Sequence, residues 1–315
     1  MKNKILCCII VLLSFVLILE VSFHSKTNFS FDNPPQEDEP SEKQQEKQDK
    51  IIRVYNPTTT TIENMNLEDY ILGVVAAEMP ASFELEALKA QAIAARTFAT
   101  YKMEHRQEAY DIIIGVADQA YNTIEQMQNK WGADYQTNYE KIKNAVQATQ
   151  GDVMTYQGQT IESFYFSMSN GQTENCELVF QEALPYLTSV DSNWDNETLQ
   201  NYEVTKEFST QDFCNLLNIS CEEINISDVN RTSSGRINTI KINGNLMKGT
   251  EVRKKLSLRS TDFDIQIEDK IKITTRGSGH GVGMSQYGAN GMAKEGKNYQ
   301  EILTHYYQNI EFSKI

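Results

Sequence analysis

Residues 67–80 read LEDYILGVVAAEMP, an apolar stretch that carries one glutamate near its end. Asn66 is a good helix N-cap and has Asp69 three residues on, so the pattern predicts a helix that begins at residue 67. This helix has one apolar stripe, formed by Leu67, Ile71, Val74 and Val75. The next position on that stripe is Glu78, and Pro80 forces the chain away just after it. The sequence therefore places a carboxylate where an apolar side chain is expected.

Two features of Glu78 disfavour an ionised side chain. It lies on an apolar stripe, and it lies at the C-terminal end of a helix, where partial negative charge accumulates. Both raise the pKa of a carboxyl group, so this one can hold a proton near neutral pH, as a general acid must. Glutamates with a raised pKa protonate glycosidic oxygens in other enzymes. The alternative is a carboxylate that curls to the surface at a frayed helix end.

The chain on either side of this helix predicts an α+β fold. After Pro80, the alanine-rich residues 83–106 predict a second helix with Ser82 as its cap, and its many small residues allow another backbone to come close. Residues 138–150 predict a third helix. Between about 199 and 275, alternating patterns around an Asn-Gly pair predict β-hairpins. We therefore expect a helix-rich core at 51–315 that includes a smaller β-rich subdomain at 199–275.

The N-terminal 50 residues differ in composition from the rest. Residues 5–23 are almost unbroken apolar sequence, about 28 Å long as a helix, which is enough to cross a bilayer. Lys2 and Lys4 precede this run and favour a cytoplasmic N-terminus. A cleaved signal peptide is the alternative, but no small-residue cleavage site follows. We expect an uncleaved anchor at 1–23 and a flexible linker at 24–50, which is rich in Glu, Gln, Lys, Ser and Pro.

Charge and cysteine content limit the classes of function. The formal net charge of −14 comes from scattered acidic residues, so nothing suggests a groove for nucleic-acid phosphates. Five cysteines are too few for a disulfide framework. Cys214 and Cys221 are the one downstream pair that is close in sequence. They could bridge if their side chains converge, but we favour isolated buried thiols.

Two further segments contain residue types suited to a binding cleft. Residues 164–175 read FYFSMSNGQTEN, in which strand-like aromatics lead into a Ser/Asn/Gly turn. Residues 277–291 hold six of the 16 glycines and flank His280, so the backbone there must pass close to something. A phosphate-binding loop fits poorly, because the glycine spacing matches neither known fingerprint.

Three blocks of the sequence closely resemble the family of stage II sporulation protein D, which also includes the amidase-enhancer proteins. They are AAEMPASFELEALKAQAIAARTFATY at 76–101, RSTDF at 259–263 and GSGHGVGMSQYGA at 277–289, in the expected order. The resemblance implies a lytic transglycosylase that cuts peptide-stripped peptidoglycan glycan strands during engulfment of the forespore. It also implies that the glutamate of the A-E-M-P motif, Glu78 here, is the one catalytic carboxylate.

The resemblance brings further residues near that glutamate as substrate-binding candidates: Tyr165, Ser167, Ser169, Thr173, His280, Ser285, Gln286 and Tyr287. The hydroxyl groups could hydrogen-bond sugar hydroxyls or N-acetyl groups, and Tyr165 could offer an aromatic face to a sugar ring. The family more often has two glycines where this chain has Asn170 and Gly171. For Phe164 and Phe166, alternation favours an ordinary place in the core.

The implied chemistry needs one acid/base residue, whereas a two-carboxylate hydrolase needs a partner at a defined separation. Four residues are partner candidates by type, although each is more typical of a solvated surface: Glu84, Glu86, Glu174 and Asp191. Some relatives bind zinc through a Cys/His cluster after the alanine-rich helix. The matching residues 109–132 contain neither Cys nor His, so we expect no metal and no cofactor.

The resemblance also implies partners and a location. The partners would be the sporulation amidase, protein P, and the membrane protein M. The location would be the engulfing mother-cell membrane, crossed once, with the C-terminal region facing the septal space. Two other hypotheses remain. The first is a protein that binds glycan without cutting it and activates an amidase, and the second is a serine hydrolase that uses Ser169 and His280. The second of these has no nucleophile-elbow pattern.

Overall fold

The computed structural model describes residues 50–196 and 199–315, and in this part of the chain it is a mixed α+β structure. The helices, in chain order, are α1 Leu67–Glu78, α2 Leu85–His105, α3 Ile124–Trp131, α4 Tyr135–Ala148, α5 Cys176–Phe180, α6 Thr210–Leu217, α7 Gly249–Lys255, α8 Gln286–Lys294 and α9 Tyr299–Tyr306. A 3₁₀ turn at Gly132–Asp134 lies between α3 and α4.

The strands are short, and they form several small sheets. They are β1 Ile51–Asn56, β2 Thr61–Asn66, β3 Ile112–Ile113, β4 Asp152–Tyr156, β5 Gln159–Thr160, β6 Tyr165–Phe166, β7 Glu203–Phe208, β8 Ile226–Arg231, β9 Ile237–Ile242, β10 Asn245–Lys248, β11 Phe263–Ile267, β12 Ile271–Arg276, β13 Met284–Ser285 and β14 Glu311–Lys314. The strand orders are β2-β1-β3, β14-β4-β5, β10-β9-β8, β11-β12-β7 and β13-β6.

Helix α1 begins and ends where the sequence predicts. The Asn66 side chain accepts a hydrogen bond from the Glu68 backbone N–H at 2.9 Å, which caps the helix. Every position of the predicted apolar stripe is buried. The predicted cap of the second helix is wrong, because residues 81–83 form a turn in which the Phe83 N–H bonds the Pro80 carbonyl at 3.0 Å. Helix α2 therefore begins later, at Leu85, with Glu84 and not Ser82 as its N-cap.

Helix α2 is the central element of the larger hydrophobic core. Its alanines are fully buried, as at Ala90 and Ala94, and it packs against α1, α4, α8, α9 and β4. The small side chains allow these close approaches. Arg96, also fully buried, pairs with Glu68 at 2.6 Å and so fixes α2 to the first turn of α1.

A second hydrophobic core lies in the β-rich part of the chain. It is built from residues such as Phe213, Ile240 and Phe263 on α6, β9 and β11. The Asn-Gly pair forms the predicted tight turn between β9 and β10, with φ of 48° at Asn243 and 78° at Gly244. Helices α6 and α7 accompany the strands here. The domain bounds drawn from the sequence stay predictions.

Cys214 and Cys221 form a disulfide, so the prediction of isolated thiols is wrong for this pair. Helix α6 ends at Leu217, and Asn218 adopts the left-handed conformation, which turns the chain back. The Ile219 N–H then bonds the Cys214 carbonyl at 3.0 Å, and the two cysteine Cα atoms lie 5.7 Å apart. Cys176 is a buried free thiol.

No helix within residues 50–196 and 199–315 is long and apolar enough to cross a membrane. The anchor predicted at 1–23 lies outside the described residues, and so does the linker predicted at 24–50 except for its last residue.

Candidate active site

Glu78 is the last residue of α1, and its half-buried carboxylate is held by neutral donors. Its Oε1 accepts a hydrogen bond from the Ala120 backbone N–H at 3.0 Å. Its Oε2 accepts one from Nε2 of Gln286, also at 3.0 Å. No cation lies within 4.0 Å of this carboxylate among residues 50–196 and 199–315. The geometry orients the carboxylate without neutralising it.

Burial raises the pKa of Glu78, and the two hydrogen bonds lower it by a smaller amount. The direction agrees with the sequence argument, but part of the cause differs. At the end of α1, the Ala76 carbonyl accepts hydrogen bonds from Nζ of Lys130 at 2.9 Å and from Nδ2 of Asn122 at 3.1 Å. The ammonium group offsets the negative end of the helix dipole, so desolvation is the main reason for the raised pKa.

A buried amide beside Glu78 fixes the loop that carries Ala120. The side chain of Gln119 accepts a hydrogen bond from the Tyr70 hydroxyl at 3.1 Å and donates one to the Tyr165 hydroxyl at 2.8 Å. The pKa of both tyrosines is raised well above the ordinary value, first by burial and then by the nearby charge, to which Glu78 contributes. Tyr165 thus belongs to the surroundings of the carboxylate.

Gln286 reaches Glu78 because it is the first residue of α8. The Ser285 hydroxyl caps this helix by accepting the Gly288 N–H at 3.2 Å. Next in the chain, Tyr287 packs its ring edge-on to Phe83 with centroids 5.0 Å apart, and its N–H bonds the Ser167 carbonyl at 3.0 Å. The structure therefore brings Gln286 into direct contact with Glu78 and places Ser285 and Tyr287 beside it in the chain.

Other predicted sugar-binding hydroxyls are engaged inside the protein. Ser169 is fully buried and donates to Oδ2 of Asp195 at 2.8 Å; the Ser192 hydroxyl donates to the same oxygen at 2.6 Å. Burial raises the pKa of Asp195 to about 6. Thr173 is buried and accepts the Val190 N–H at 2.8 Å. The side chains of Ser169 and Thr173 thus hold neighbouring segments together.

His280 lies among three aromatic rings. Its centroid is 5.7 Å from that of Phe166 and 5.3 Å from that of Phe180, and burial lowers its pKa to about 3. Nδ1 accepts the Val282 N–H at 3.1 Å, so that nitrogen carries no proton. Ser169 bonds Asp195 and not this histidine, and the serine-hydrolase reading therefore gains no support from the geometry.

The glycine-rich segment passes close to residues 164–166, and its composition predicts such a close approach. A Cβ at Gly283 would lie 2.0 Å from the Phe164 carbonyl oxygen, and φ there is +76°. A Cβ at Gly279 would lie 2.7 Å from Cβ of Phe166. Strands β13 and β6 pair in parallel at this point, with Met284 opposite Tyr165. These glycines allow the segment to pack closely against another part of the protein.

A small cavity lies beside Tyr165 and His280 and has an empty volume of about 480 Å³. Its walls include Gln119, Tyr165 and His280, together with the stacked rings of Phe164 and Phe180, whose centroids are 4.3 Å apart. Phe180 is 42% exposed. Exposed aromatic faces beside hydrogen-bonding groups suit a sugar ring.

The four other acidic candidates do not contact Glu78. Glu84 and Asp191 are exposed. Glu86 pairs with Lys89 at 2.6 Å. Glu174, unlike the predicted surface group, is buried and bonded to hydroxyl groups. Within the described residues, no cluster of three or more His, Cys, Asp or Glu side chains could hold a metal ion.

Sequence reasoning missed Gln119 and Ala120. Gln119 is an amide in a loop with no periodic pattern around it, and Ala120 contributes only its backbone N–H, which every residue except proline has. No sequence signal could have identified them.

The described residues thus bring together a glutamate with a raised pKa and an amide partner, and Gln119, which adjoins the loop donor Ala120, lines an aromatic cavity. Comparison with known proteins identifies the family. The family model described as stage II sporulation protein matches residues 55–156. Stage II sporulation protein D of Bacillus amyloliquefaciens is 43% identical over 271 residues, which are 84% of this chain and 78% of that protein. The Bacillus subtilis (strain 168) protein of the same name is also 43% identical, over 84% of this chain and 79% of its own length. The chain belongs to the stage II sporulation protein D family, a family of sporulation proteins.

A further relative is less similar. The amidase enhancer of Bacillus subtilis (strain 168) is 28% identical over 293 residues, which are 75% of this chain and 39% of that protein.

Proposed function

We propose that this protein is a lytic transglycosylase that cuts peptide-stripped peptidoglycan glycan strands during forespore engulfment, with Glu78 as its acid and base. The observation that carries the proposal is the environment of Glu78. Its carboxyl group has a pKa raised by burial and is held by two neutral donors at 3.0 Å. Gln119, the residue before the donor Ala120, lines the aromatic cavity. A catalytic acid needs this combination of a retained proton and a fixed orientation.

The reaction needs one group that first gives and then takes a proton. Protonated Glu78 donates to the glycosidic oxygen that leaves C1 of N-acetylmuramic acid, and the C1–O bond breaks. The resulting carboxylate then takes the proton of the 6-hydroxyl of the same sugar as that oxygen bonds C1. The product is a 1,6-anhydro end, and Glu78 is again protonated. No water enters, so no second carboxylate is required to activate one.

The hydrogen bonds of Glu78 suit both steps. The Gln286 amide and the Ala120 N–H stabilise the carboxylate that forms after the first proton transfer. Burial works in the opposite direction and favours the acid. The two effects bring the two protonation states closer in free energy, as a group with both roles requires.

The test is cleavage of purified, peptide-free glycan strands by the full chain. We expect anhydro-muramic ends by mass spectrometry with the wild-type protein and none with Glu78→Gln, which keeps the side-chain shape but has no proton to give. Glu125→Gln, the same change at an exposed glutamate of α3, is the matched control and should retain cleavage. Normal cleavage by Glu78→Gln would refute the proposal.

The second candidate function is activation of a cell-wall amidase by a chain that binds glycan without cutting it. The likeness to a protein named amidase enhancer favours it. The same assay separates the two, because an activator binds the strands and leaves them intact while it increases peptide release by an added amidase.

The remaining parts of the proposal follow from family membership. We place the protein in the cell membrane of the engulfing mother cell, anchored once by residues 1–23, with the C-terminal region outside. Its proposed partners are the sporulation amidase, protein P, which strips the peptides, and the membrane protein M. Substrate binding by the eight predicted residues is also part of this proposal: Tyr165, Ser167, Ser169, Thr173, His280, Ser285, Gln286 and Tyr287.

A further inference from the structure

Helix α8 contacts two different parts of the chain through opposite faces. Gln286 lies on one face and donates to Glu78 at 3.0 Å. Gly288 is two residues further on, which is about 160° away around a helix of 3.6 residues per turn, and Gly291 shares its side of the helix. This second side, which we name the glycine face, packs against residues 192–195. The helix thus links those residues to the candidate active site.

The contact on the glycine face is very close. A Cβ at Gly288 would lie 2.5 Å from the Ser192 hydroxyl oxygen and 2.8 Å from Oδ2 of Asp195. A Cβ at Gly291 would lie 2.3 Å from Cβ of Trp194. Only glycine leaves room for this approach, so the first two turns of α8 rest directly on residues 192–195.

Asp195 is the centre of a buried hydrogen-bond cluster at this contact. It is 1% exposed, and its Oδ2 accepts hydrogen bonds from the hydroxyls of Ser169 at 2.8 Å and Ser192 at 2.6 Å. The Ser192 hydroxyl oxygen also lies 2.8 Å from that of Tyr306 on α9. Ser285, the N-cap of α8, is near enough to lower the pKa of Asp195. One carboxyl group therefore connects the start of α8 with the segment after β6 and with α9.

The Asp195 carboxyl group is costly to bury. Its Oδ1 is buried and has no hydrogen-bond partner in the described part of the chain. Burial is the main cause of its raised pKa. The ionisable groups that sense its charge are Tyr306, whose pKa it helps to raise, and Arg236, where it opposes the lowering of the pKa by burial. A buried acid with an unpaired oxygen needs an explanation beyond packing.

We propose that Asp195 is a positioning residue, which holds the first turn of α8 in place so that the Gln286 amide reaches the Glu78 carboxylate. The serine hydroxyls fix Asp195, and Asp195 together with Ser192 fixes the glycine face. The opposite face of the same helix then presents the amide to Glu78. Resting on the proposed function, Asp195 thereby sets how readily the catalytic acid gives and takes its proton.

The test is a double-mutant cycle on the full chain, in which ¹³C NMR of the glutamate carboxyl signals gives the titration midpoint of Glu78. The Glu78 resonance is assigned by its absence in Glu78→Gln. Asp195→Ala removes the acceptor of two hydroxyls and should raise the midpoint by about one pH unit, since the amide hydrogen bond to the ionised form is lost. In a Gln286→Leu chain the same replacement should add no further shift, because the amide is already absent.

Two variants separate positioning from stability. Asp195→Asn should leave the Glu78 midpoint at the wild-type value, because the amide oxygen accepts both hydroxyls and the amide nitrogen replaces the oxygen that has no partner. Asp269→Ala, the same change as Asp195→Ala at an exposed aspartate in the turn after β11, is the matched control and should also leave the midpoint unchanged. Urea unfolding is measured on each variant. Lower stability of Asp195→Ala with an unchanged Glu78 midpoint would show a purely structural role.

Two results overturn the inference: an unchanged midpoint in Asp195→Ala, or a shift in the Gln286→Leu chain as large as in the wild-type chain. If Asp195→Ala does not fold, Ser192→Ala decides, since it removes one donor to Asp195 and the contact with Tyr306. It should raise the Glu78 midpoint, and an unchanged midpoint overturns the inference. These titrations contain no glycan, so their result is independent of cleavage. Failure of the wild-type protein to cut naked strands counts against the proposed function alone.

Discussion

Replacing Gln286 by leucine should raise the proton affinity of Glu78. The Gln286 amide donates to Oε2 at 3.0 Å, and this hydrogen bond favours the ionised form. A hydrogen bond to a charged group contributes on the order of 1.5 kcal/mol or more, and 1.36 kcal/mol corresponds to a factor of ten in an acid dissociation constant. Leucine is similar in size and has no donor, so the Glu78 proton should bind about tenfold more tightly or better.

The assay is a ¹³C NMR titration of the glutamate carboxyl signals, with the Glu78 resonance assigned by its absence in Glu78→Gln. The titration midpoint in Gln286→Leu should move to higher pH. Tyr287→Phe is the control, because it alters the next side chain of the same helix without touching the carboxylate, and its midpoint should stay at the wild-type value. An unchanged or lower midpoint in Gln286→Leu would refute the reasoning that this amide holds the carboxylate.

Three further predictions concern stability. Burial raises the pKa of Asp195 from its ordinary value of 3.8 to about 6 in the folded state, so the folded state holds the extra proton and wild-type stability should fall as pH rises from 3 to 7. Between pH 3 and 7 the free energy of unfolding, measured with urea at each pH, should fall by on the order of 3 kcal/mol more in the wild type than in Asp195→Asn. If the two proteins show the same pH dependence, the prediction is wrong. Opening the Cys214–Cys221 disulfide by Cys→Ser at both positions, which are seven apart in sequence, should cost about 2.5 kcal/mol of unfolding free energy, and an equally stable variant would count against it. Gly283→Ala should lower stability by about 2 kcal/mol or more, since its Cβ would meet a carbonyl oxygen at 2.0 Å with φ at +76°; an unchanged melting temperature would show the contact to be wrong.

The sequence predicts Glu78 and its helix because both follow from periodicity. A helix with a buried stripe shows the stripe in its own residues, and an acid on that stripe stands out. The Asn-Gly turn is equally local, since two residues decide it. These features can be predicted without knowing which residues pack against them.

The missed features depend on backbone conformation and on hydrogen-bond partners, which residue type alone does not reveal. Ser82 is a reasonable cap by type, but the turn closed by Phe83 on Pro80 takes its place. The disulfide forms because Asn218 adopts the left-handed conformation and reverses the chain. The residue types between the two cysteines do not predict this reversal. The hydrogen bonds of Ser169 with Asp195 and of Thr173 with the Val190 N–H could not be foreseen from the sequence, and sugar contact by these two residues stays a prediction. Residue type indicates that a hydroxyl will be bonded, and the fold decides to what.

The most direct test of the proposed single-carboxylate reaction is cleavage of peptide-free glycan strands in water enriched with heavy oxygen. The full chain should yield muramic ends that are 1,6-anhydro and carry no heavy oxygen, because the sugar's own 6-hydroxyl closes on C1. Glu78→Gln should yield no such ends. New reducing ends labelled with heavy oxygen would mean that water attacks C1 and would contradict the account, as would the absence of any cleavage by the wild-type protein.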